Sequence, residues 1–445
     1  MLAAAHLLKH PSTLRVDLFE PGADLAAGIA YATENPVHLL NVAAKGMSAF
    51  ADQPDHFVEW VKGIPKWMPD GGWTPRSFVP RRLYRDYLAS LVEPYVSNGR
   101  LQLHRRQIVD LVERPDGLEL VASGGSRYQA EGAVLATGNE SPGGKAAAWR
   151  RDYWSSPSGF DIPGNASVVV IGTGLSMVDS VMSLLERGHS GPIAAISRRG
   201  LVPRPHDTAA RRAPLASSDV PFGASVSRLC RWVRERVRQA GRDGEGDWRS
   251  VVDSLRPYSQ EIWRALPAVE KRRFLRHARP WWDVHRHRMA PEIHDRIKAA
   301  QASGQLTVFA ARLAAIEESG LGARVRFVPR GTDAERGIEA HYVIDCRGHS
   351  SDAQSTGNPL LRALFADGRL RPDPLRLAID VTGDCATLDA KGKASARIFA
   401  VGPATVGAFW EIIAVPDIRQ QVERLAARLV ADEAVRTPGR VAPAA

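Results

Sequence analysis

Short apolar runs and longer apolar periodicities alternate along most of the chain. Near the middle, Val168-Val169-Val170-Ile171 is continuous and β-branched, which predicts a buried strand. It ends on Gly172-Thr173-Gly174. Val178, Val181, Met182 and Leu185 then recur at helical spacing until Gly188 stops the pattern. Pro192 to Ser197 reads as the next strand. Upstream, Met1 to Leu8 reads as a helix and Leu14 to Glu20 as a strand. Asp55 to Val61 and Pro80 to Leu88 read as further helices. Four short runs between Leu101 and Gln129 suggest a small antiparallel sheet, and Gly132 to Thr137 is an apolar strand. Beyond Leu201 the pattern is helical as far as Gly304, and strands resume at Leu306, Arg324 and His341. A late strand, Ile398 to Val401, precedes a helix marked by Ile418, Val422, Leu425 and Leu429. The alternation is that of an α/β protein.

Composition narrows the class. The chain has 445 residues, enough for two or three domains, and 44% of them are hydrophobic. No run approaches the roughly 20 apolar residues of a membrane span. The first residues show no basic leader or cleavage site, so no signal peptide is expected. Cys230, Cys346 and Cys385 are far apart, which argues against a disulfide framework or a zinc site and predicts a cytoplasmic protein without metal. The formal net charge is +10, and it is concentrated. Arg198 to Ala300 holds 23 Lys and Arg against 12 Asp and Glu, a balance of +11, so the remainder sums to −1. A basic segment suits nucleic acid, a membrane surface or an anionic small molecule. No nucleic-acid motif accompanies it. Val226, Leu229, Val233 and Val237 form an apolar stripe opposite Arg228, Arg231, Arg234 and Arg238, which also fits a solvated basic face.

Candidate chemistry starts at the Gly-Thr-Gly turn. Gly172 lets the strand turn sharply, and Gly174 leaves room for a pyrophosphate beside the free N–H groups of the following helix. The third glycine of the usual fingerprint is replaced by Met177. The next strand ends on Arg198 and Arg199, where an NADH site would place an acid; arginines favour the 2′-phosphate of NADPH. Glu20, at the end of an early strand, is placed to receive ribose hydroxyls. The run Arg279-Pro280-Trp281-Trp282-Asp283-Val284-His285-Arg286-His287-Arg288 admits two readings. It either stacks and pairs a planar anionic ligand or packs tryptophans inward with solvated bases outside. The helix after Pro416 offers a positive N-terminus to an anionic group.

Together these stretches resemble a bacterial FAD/NAD(P)-binding flavoprotein family that includes a FAD-dependent urate hydroxylase and aspartate N-monooxygenases. The resemblance rests on Gly28-Ile29-Ala30-Tyr31, Leu40-Asn41-Val42 with Met47-Ser48-Ala49-Phe50, and Ala136-Thr137-Gly138-Asn139. It continues through Gly172 to Asp179, Trp282 to Pro291, Gly402-Pro403, Trp410-Glu411 and Ala414-Val415-Pro416, covering residues 16 to about 425. It implies two dinucleotide-binding, Rossmann-like units, for FAD and NAD(P), with a helical Arg/Trp-rich insertion over about 201–304. The FAD part would take 1–145 and 346–435, with a Pro/Gly-rich linker from Asn139 to Lys145, and the NAD(P) part 160–345. By position, Glu20 would hold FAD ribose, and Asn41, Met47 and Ser48 would approach the flavin. Thr137 and Gly138 would lie at the crossing between domains. Gly172, Thr173, Gly174 and Ser176 would cradle NADPH (or NADH) pyrophosphate, and Gly402, Trp410 and Glu411 would close over FAD. Trp282, Arg286 and His287 would face a small-molecule substrate. The family's first strand and FAD glycine loop have no counterpart here; the expectation is that they are encoded upstream of Met1, and the alternative is a decayed copy of the family's gene. The implied reaction is reduction of FAD by NADPH, activation of O₂ and hydroxylation of a small anionic substrate. Urate is the first candidate and an amino-acid nitrogen the alternative. A flavin reductase without hydroxylation is the next reading, and a nucleic-acid-binding protein the weakest.

Overall fold

The chain divides into two compact units. The first comprises Met1–Ala32, Val42–Glu140 and His349–Ala445, and the second Thr33–Asn41 and Ser141–Gly348. The computed structural model describes residues 1–140, 147–153, 161–207, 215–348 and 352–436, with side chains to 432. Most of the expected linker, 141–145, lies outside the described residues.

In chain order, the first unit begins with α1 (Leu2–Lys9), β1 (Val16–Phe19), α2 (His56–Lys62), α3 (Arg81–Ser90) and α4 (Glu93–Ser97). Pro80 stands immediately before α3, where a fixed φ suits helix entry. Strands β2 (Leu101–His104), β3 (Ile108–Arg114), β4 (Gly117–Ala122), β5 (Arg127–Ala130) and β6 (Ala133–Leu135) follow. The second unit contributes β7 (Arg150–Asp152), β8 (Val168–Ile171), α5 (Leu175–Glu186) and β9 (Ile193–Ser197). Its helical insertion is α6 (Val226–Arg242), α7 (Trp248–Leu255), α8 (Ser259–Ala265), α9 (Ala268–Arg273) and, after a π-helical turn over Phe274–Ala278, α10 (Arg279–Arg286). Then come α11 (Pro291–Ala302), β10 (Leu306–Glu318), β11 (Ala323–Pro329), β12 (Arg336–Ala340) and β13 (Tyr342–Asp345). The chain returns to the first unit with α12 (Pro359–Ala366), β14 (Ala386–Leu388), β15 (Ala394–Ala400) and α13 (Val415–Arg436).

Within the first unit, β1 pairs in parallel with β2, and β6 pairs in parallel with β15 while β14 lies antiparallel on its other edge. The meander β3-β4-β5 has a clean inward face: Leu111, Leu118 and Leu120 are buried with Leu360, Leu361 and Leu364 of α12 and Ile398 of β15. Helices α1 and α13 pack together, bringing Leu2 and Ala3 to Phe399, Val422 and Leu425.

The second unit is built on a seven-stranded sheet, in the order β12-β11-β10-β9-β8-β13-β7. From β10 to β7 every neighbouring pair is parallel; β11 and β12 add on antiparallel. All four residues of β8 are buried, as a strand covered on both faces requires. One covering layer comes from α5, through Met177, Val178, Val181 and Met182, with α11 packed against it. In the insertion, the apolar stripe of α6 turns inward as its spacing predicts, and Val233 and Val237 pack on Val251.

The boundary of the two units differs from the sequence expectation at Thr33–Asn41, which belongs with the second unit. The cause is a set of hydrogen bonds to α5. Buried His38 places Nε2 2.7 Å from Ser183 Oγ and 3.1 Å from the Asp179 carbonyl, and Nδ1 2.8 Å from Thr33 Oγ1. Asn35 Nδ2 donates to Ser183 Oγ at 3.2 Å.

Candidate dinucleotide site and the residues around it

The turn between β8 and α5 needs each of its glycines for a different reason. Gly172 has φ +110°, and a Cβ there would sit 2.9 Å from the Cys346 carbonyl oxygen at the end of β13. Gly174 has an ordinary φ of −81° and open space around its missing side chain. As N-cap of α5 it supplies no side-chain acceptor, so the first N–H groups of a 12-residue helix face that space. An uncapped helix N-terminus with a clear approach fits a pyrophosphate.

Thr173 and Ser176 take other parts. The Thr173 hydroxyl is buried, 2.7 Å from Ser197 Oγ, and donates to the Leu201 carbonyl at 2.5 Å, tying the turn to the end of β9. The Ser176 carbonyl accepts from Ser180 Oγ at 2.8 Å inside α5. Behind the turn, Tyr153 donates to buried Asp179 at 2.6 Å. Burial pushes the Cys346 thiol up, so it stays protonated.

At the end of β9 the two arginines part company. Arg198 is exposed and makes no ion pair with a described residue. Arg199 Nη2 donates to the His277 carbonyl, at 3.3 Å, inside the π-helical turn.

The Trp/His run is α10 and its exit. Trp281, not Trp282, is the exposed ring, at 46%. Arg286 is buried, and His287 Nδ1 lies 3.8 Å from Asp283. The structure also ties this run to two residues that no spacing marked, Trp248 and Asp253. His285 meets Trp248 edge-on at 4.7 Å, and buried Arg288 pairs with Asp253. His206 Nε2 lies 2.9 Å from the Asn41 carbonyl; burial first, then Arg288, lowers its pKa to about 4, so at neutral pH it is a neutral N–H donor. Of the residues expected near a flavin, Asn41 thus belongs to the second unit, with His206.

Within the first unit, Glu20 stands at the exit of β1, and its Oε1 accepts from the Gly22 N–H at 3.0 Å. Met47 and Ser48 are buried, and the Ser48 hydroxyl bonds the Phe50 and Gln53 carbonyls, closing its own loop. Arg419 of α13 donates to the Ser48 carbonyl at 2.8 Å. Thr137 and Gly138 follow β6, with Gly138 at φ +67°. Gly402, at φ +71°, donates through its N–H to Gln421 at 2.7 Å, and Gln421 reaches Thr405 at 3.1 Å. Trp410 and Glu411, further along the chain, are buried, and Glu411 is held at φ +70°, an unusual conformation for a glutamate. Sequence spacing carried no sign of Gln421, Arg419 or His206, because each acts through a contact distant along the chain.

Comparison with known proteins bears on these sites. Residues 1–140 match a family model described as FAD-NAD(P)-binding. No curated protein matches the sequence. Solved structures do resemble the fold over nearly its whole length. An ornithine N-hydroxylase of Kutzneria sp. 744, described with reduced FAD, NADP⁺ and L-ornithine, is 14% identical at a TM-score of 0.61, over 97% of this chain and 96% of that one. The L-lysine 6-monooxygenase of Pseudomonas syringae is 14% identical at 0.61, over 98% and 97%. A cadaverine monooxygenase of Erwinia amylovora, bound to FAD, is 13% identical at 0.60, over 100% and 96%. The chain has the α/β, two-unit dinucleotide-binding fold of these flavoproteins. No helix among the described residues is long and apolar enough to cross a membrane, and no cluster of possible metal ligands occurs among them.

Proposed function

We propose that the protein is an FAD- and NADPH-dependent monooxygenase that hydroxylates the nitrogen of a small amine, an amino acid or a diamine. The observation that carries this reading is the uncapped, glycine-cleared N-terminus of α5, followed by arginine at the end of β9, in a chain whose first 140 residues match an FAD-NAD(P)-binding model. The nitrogen specificity draws support from the three structures above, whose described substrates, ornithine, lysine and cadaverine, are primary amines. They favour the amino-acid nitrogen over urate. Bound FAD supplies the oxygen-activating chemistry. The net reaction consumes NADPH, a proton and O₂, converts R–NH₂ to R–NHOH, and releases NADP⁺ and water.

This chain's own residues bind and position. Backbone N–H groups at the start of α5 hold the NADPH pyrophosphate, and Arg198 reads the 2′-phosphate. Glu20 takes the ribose hydroxyls of FAD, with Gly402, Trp410 and Glu411 forming a second wall of that site. Trp282 on α10 and His287 at its C-terminal end bound the substrate side, and three free cysteines accord with a reducing cytoplasm.

The test is NADPH oxidation by the FAD-loaded protein with L-ornithine, L-lysine, cadaverine, L-aspartate or urate, with products followed by mass spectrometry. A product heavier than one amine by one oxygen is expected. Oxidation that yields only hydrogen peroxide with every substrate would overturn hydroxylation in favour of a reductase. A hydroxylated urate would restore the other substrate class.

A further inference from the structure

Helix α13 holds two separate pieces of the first unit by their backbones. Gln421 Oε1 accepts from the Gly402 N–H at 2.7 Å, and Gln421 Nε2 donates to Thr405 Oγ1 at 3.1 Å. Thr405 Oγ1 in turn donates to the Gly402 carbonyl at 2.8 Å. Two buried side chains thus engage both backbone polar groups of one glycine, and the ring of three bonds fixes which way the Gln421 amide points. Two residues earlier, Arg419 Nη1 donates to the Ser48 carbonyl at 2.8 Å. Positions 419 and 421 are about 200° apart around a helix, so α13 reaches the Ser48 loop and the Gly402 turn from different faces. The helix itself is anchored, with Val422 and Leu425 buried against Phe399 and Val401.

The two pieces so held differ in character. The Ser48 loop has further ties: the Ala49 N–H donates to the Tyr87 hydroxyl at 3.1 Å, and the Ala49 carbonyl lies 2.9 Å from His6 Nε2. The Gly402 turn presents bare backbone. Gly402 has φ +71°, and a Cβ there would meet nothing within 4 Å. Its N–H and carbonyl are both occupied by side chains of the protein, which leaves an uncluttered surface for a flat group to lie against.

We propose that Gln421 and Arg419 are positioning residues for FAD, and that α13 sets the Gly402 turn and the Ser48 loop relative to one another. The inference rests on the function proposed above, with the Gly402 turn as one wall of the FAD site and the Ser48 loop as the segment that approaches the flavin. Gln421 has the larger effect. Its loss leaves the buried Gly402 N–H without an acceptor and lets a positive-φ turn relax. Neither side chain needs to touch the cofactor.

Titration of the full chain with FAD tests this, read as affinity and as the absorption band of the bound flavin. The variants are Gln421→Leu, Thr405→Val, Thr405→Ser and Arg419→Met, with Leu425→Ala removing a core contact from the same helix as a control. Gln421→Leu and Thr405→Val are each expected to weaken FAD by about tenfold or more and to shift the band. The two together should be no worse than the worse one alone, because they act through one ring. Thr405→Ser keeps the hydroxyl and should keep the wild-type affinity, while Arg419→Met should weaken FAD by about threefold. Leu425→Ala should lower the thermal midpoint and leave affinity and band unchanged. If Gln421→Leu does not fold, Thr405→Val against Thr405→Ser decides. Wild-type affinity and band in the folded variants, or a loss of FAD in Leu425→Ala equal to that in Gln421→Leu, overturns this inference alone. Wild-type protein that takes up no FAD overturns the function proposed above and this inference with it.

Discussion

Arg199 donates to the carbonyl of His277 at 3.3 Å and so links the end of β9 to the π-helical turn of the insertion. A π-helical turn leaves backbone carbonyls out of the α-helical ladder, and here one of them is bonded by Arg199. Two adjacent arginines that look equivalent in sequence therefore have different work. Arg198→Ala is expected to narrow the preference for NADPH over NADH by about tenfold, one charge-assisted contact's worth, without altering the fold. Arg199→Ala should instead loosen the insertion, seen as faster limited proteolysis between α9 and α10. Equal changes in nucleotide preference from the two substitutions would contradict this division.

Gly172 and Gly174 are expected to fail in opposite ways. Gly172→Ala combines a positive φ with a clash against the Cys346 carbonyl, and should cost about 1–3 kcal/mol in denaturant unfolding. Gly174→Asp meets open space, so its unfolding midpoint should stay close to that of the wild type. The new carboxylate would cap α5 and repel an anion, and NADPH binding should be lost. Retained NADPH affinity in Gly174→Asp would remove α5 from the site.

His206 gives a pH signature. Its folded pKa, about 4, lies below the ordinary value of 6.5, so the folded state holds the neutral ring while the unfolded chain takes up a proton. Its contribution is complete above pH 6.5 and is lost as pH falls toward 4, amounting to as much as about 3 kcal/mol. His206→Gln keeps a donor for the Asn41 carbonyl and does not titrate. Its stability should therefore fall less steeply than that of the wild type between pH 6.5 and 4. Parallel curves would show that His206 titrates normally.

Arg286, the last residue of α10, and His287, which follows it, should also separate. Arg286 is buried, so Arg286→Ala is expected to lower the thermal midpoint. His287, about a quarter exposed and facing Asp283, should tolerate Ala in folding while turnover with an amine substrate falls. Undiminished turnover in His287→Ala would move the substrate away from this face.

Much of the scaffold follows from local pattern. Val168 to Ile171 is β-branched and continuous because β8 is covered on both faces, and Val233 and Val237 of the α6 stripe pack half-buried on Val251, where their spacing puts them. Other elements leave no local trace. β7 is Arg150-Arg151-Asp152, a polar triplet that becomes a strand because β13 offers an edge and Arg150 pairs with Asp345 at 2.8 Å. Adjacent tryptophans do not reveal which one faces solvent, since a single helical step of about 100° decides it. His206 and Gln421 are ordinary residues in sequence; only the fold brings them to Asn41 and Gly402.

The strap Thr33–Asn41 sets a timetable for synthesis. His38 and the carbonyl it bonds, Asp179, are 141 residues apart. At ribosomal rates of about 5–20 residues per second, His38 leaves the tunnel roughly 7–28 s before that partner does. Throughout that interval the strap is tethered at both ends to a neighbour it does not belong to. A nascent chain halted before Asp179 would hold a histidine that the finished protein buries, still open to water and to chemical labelling.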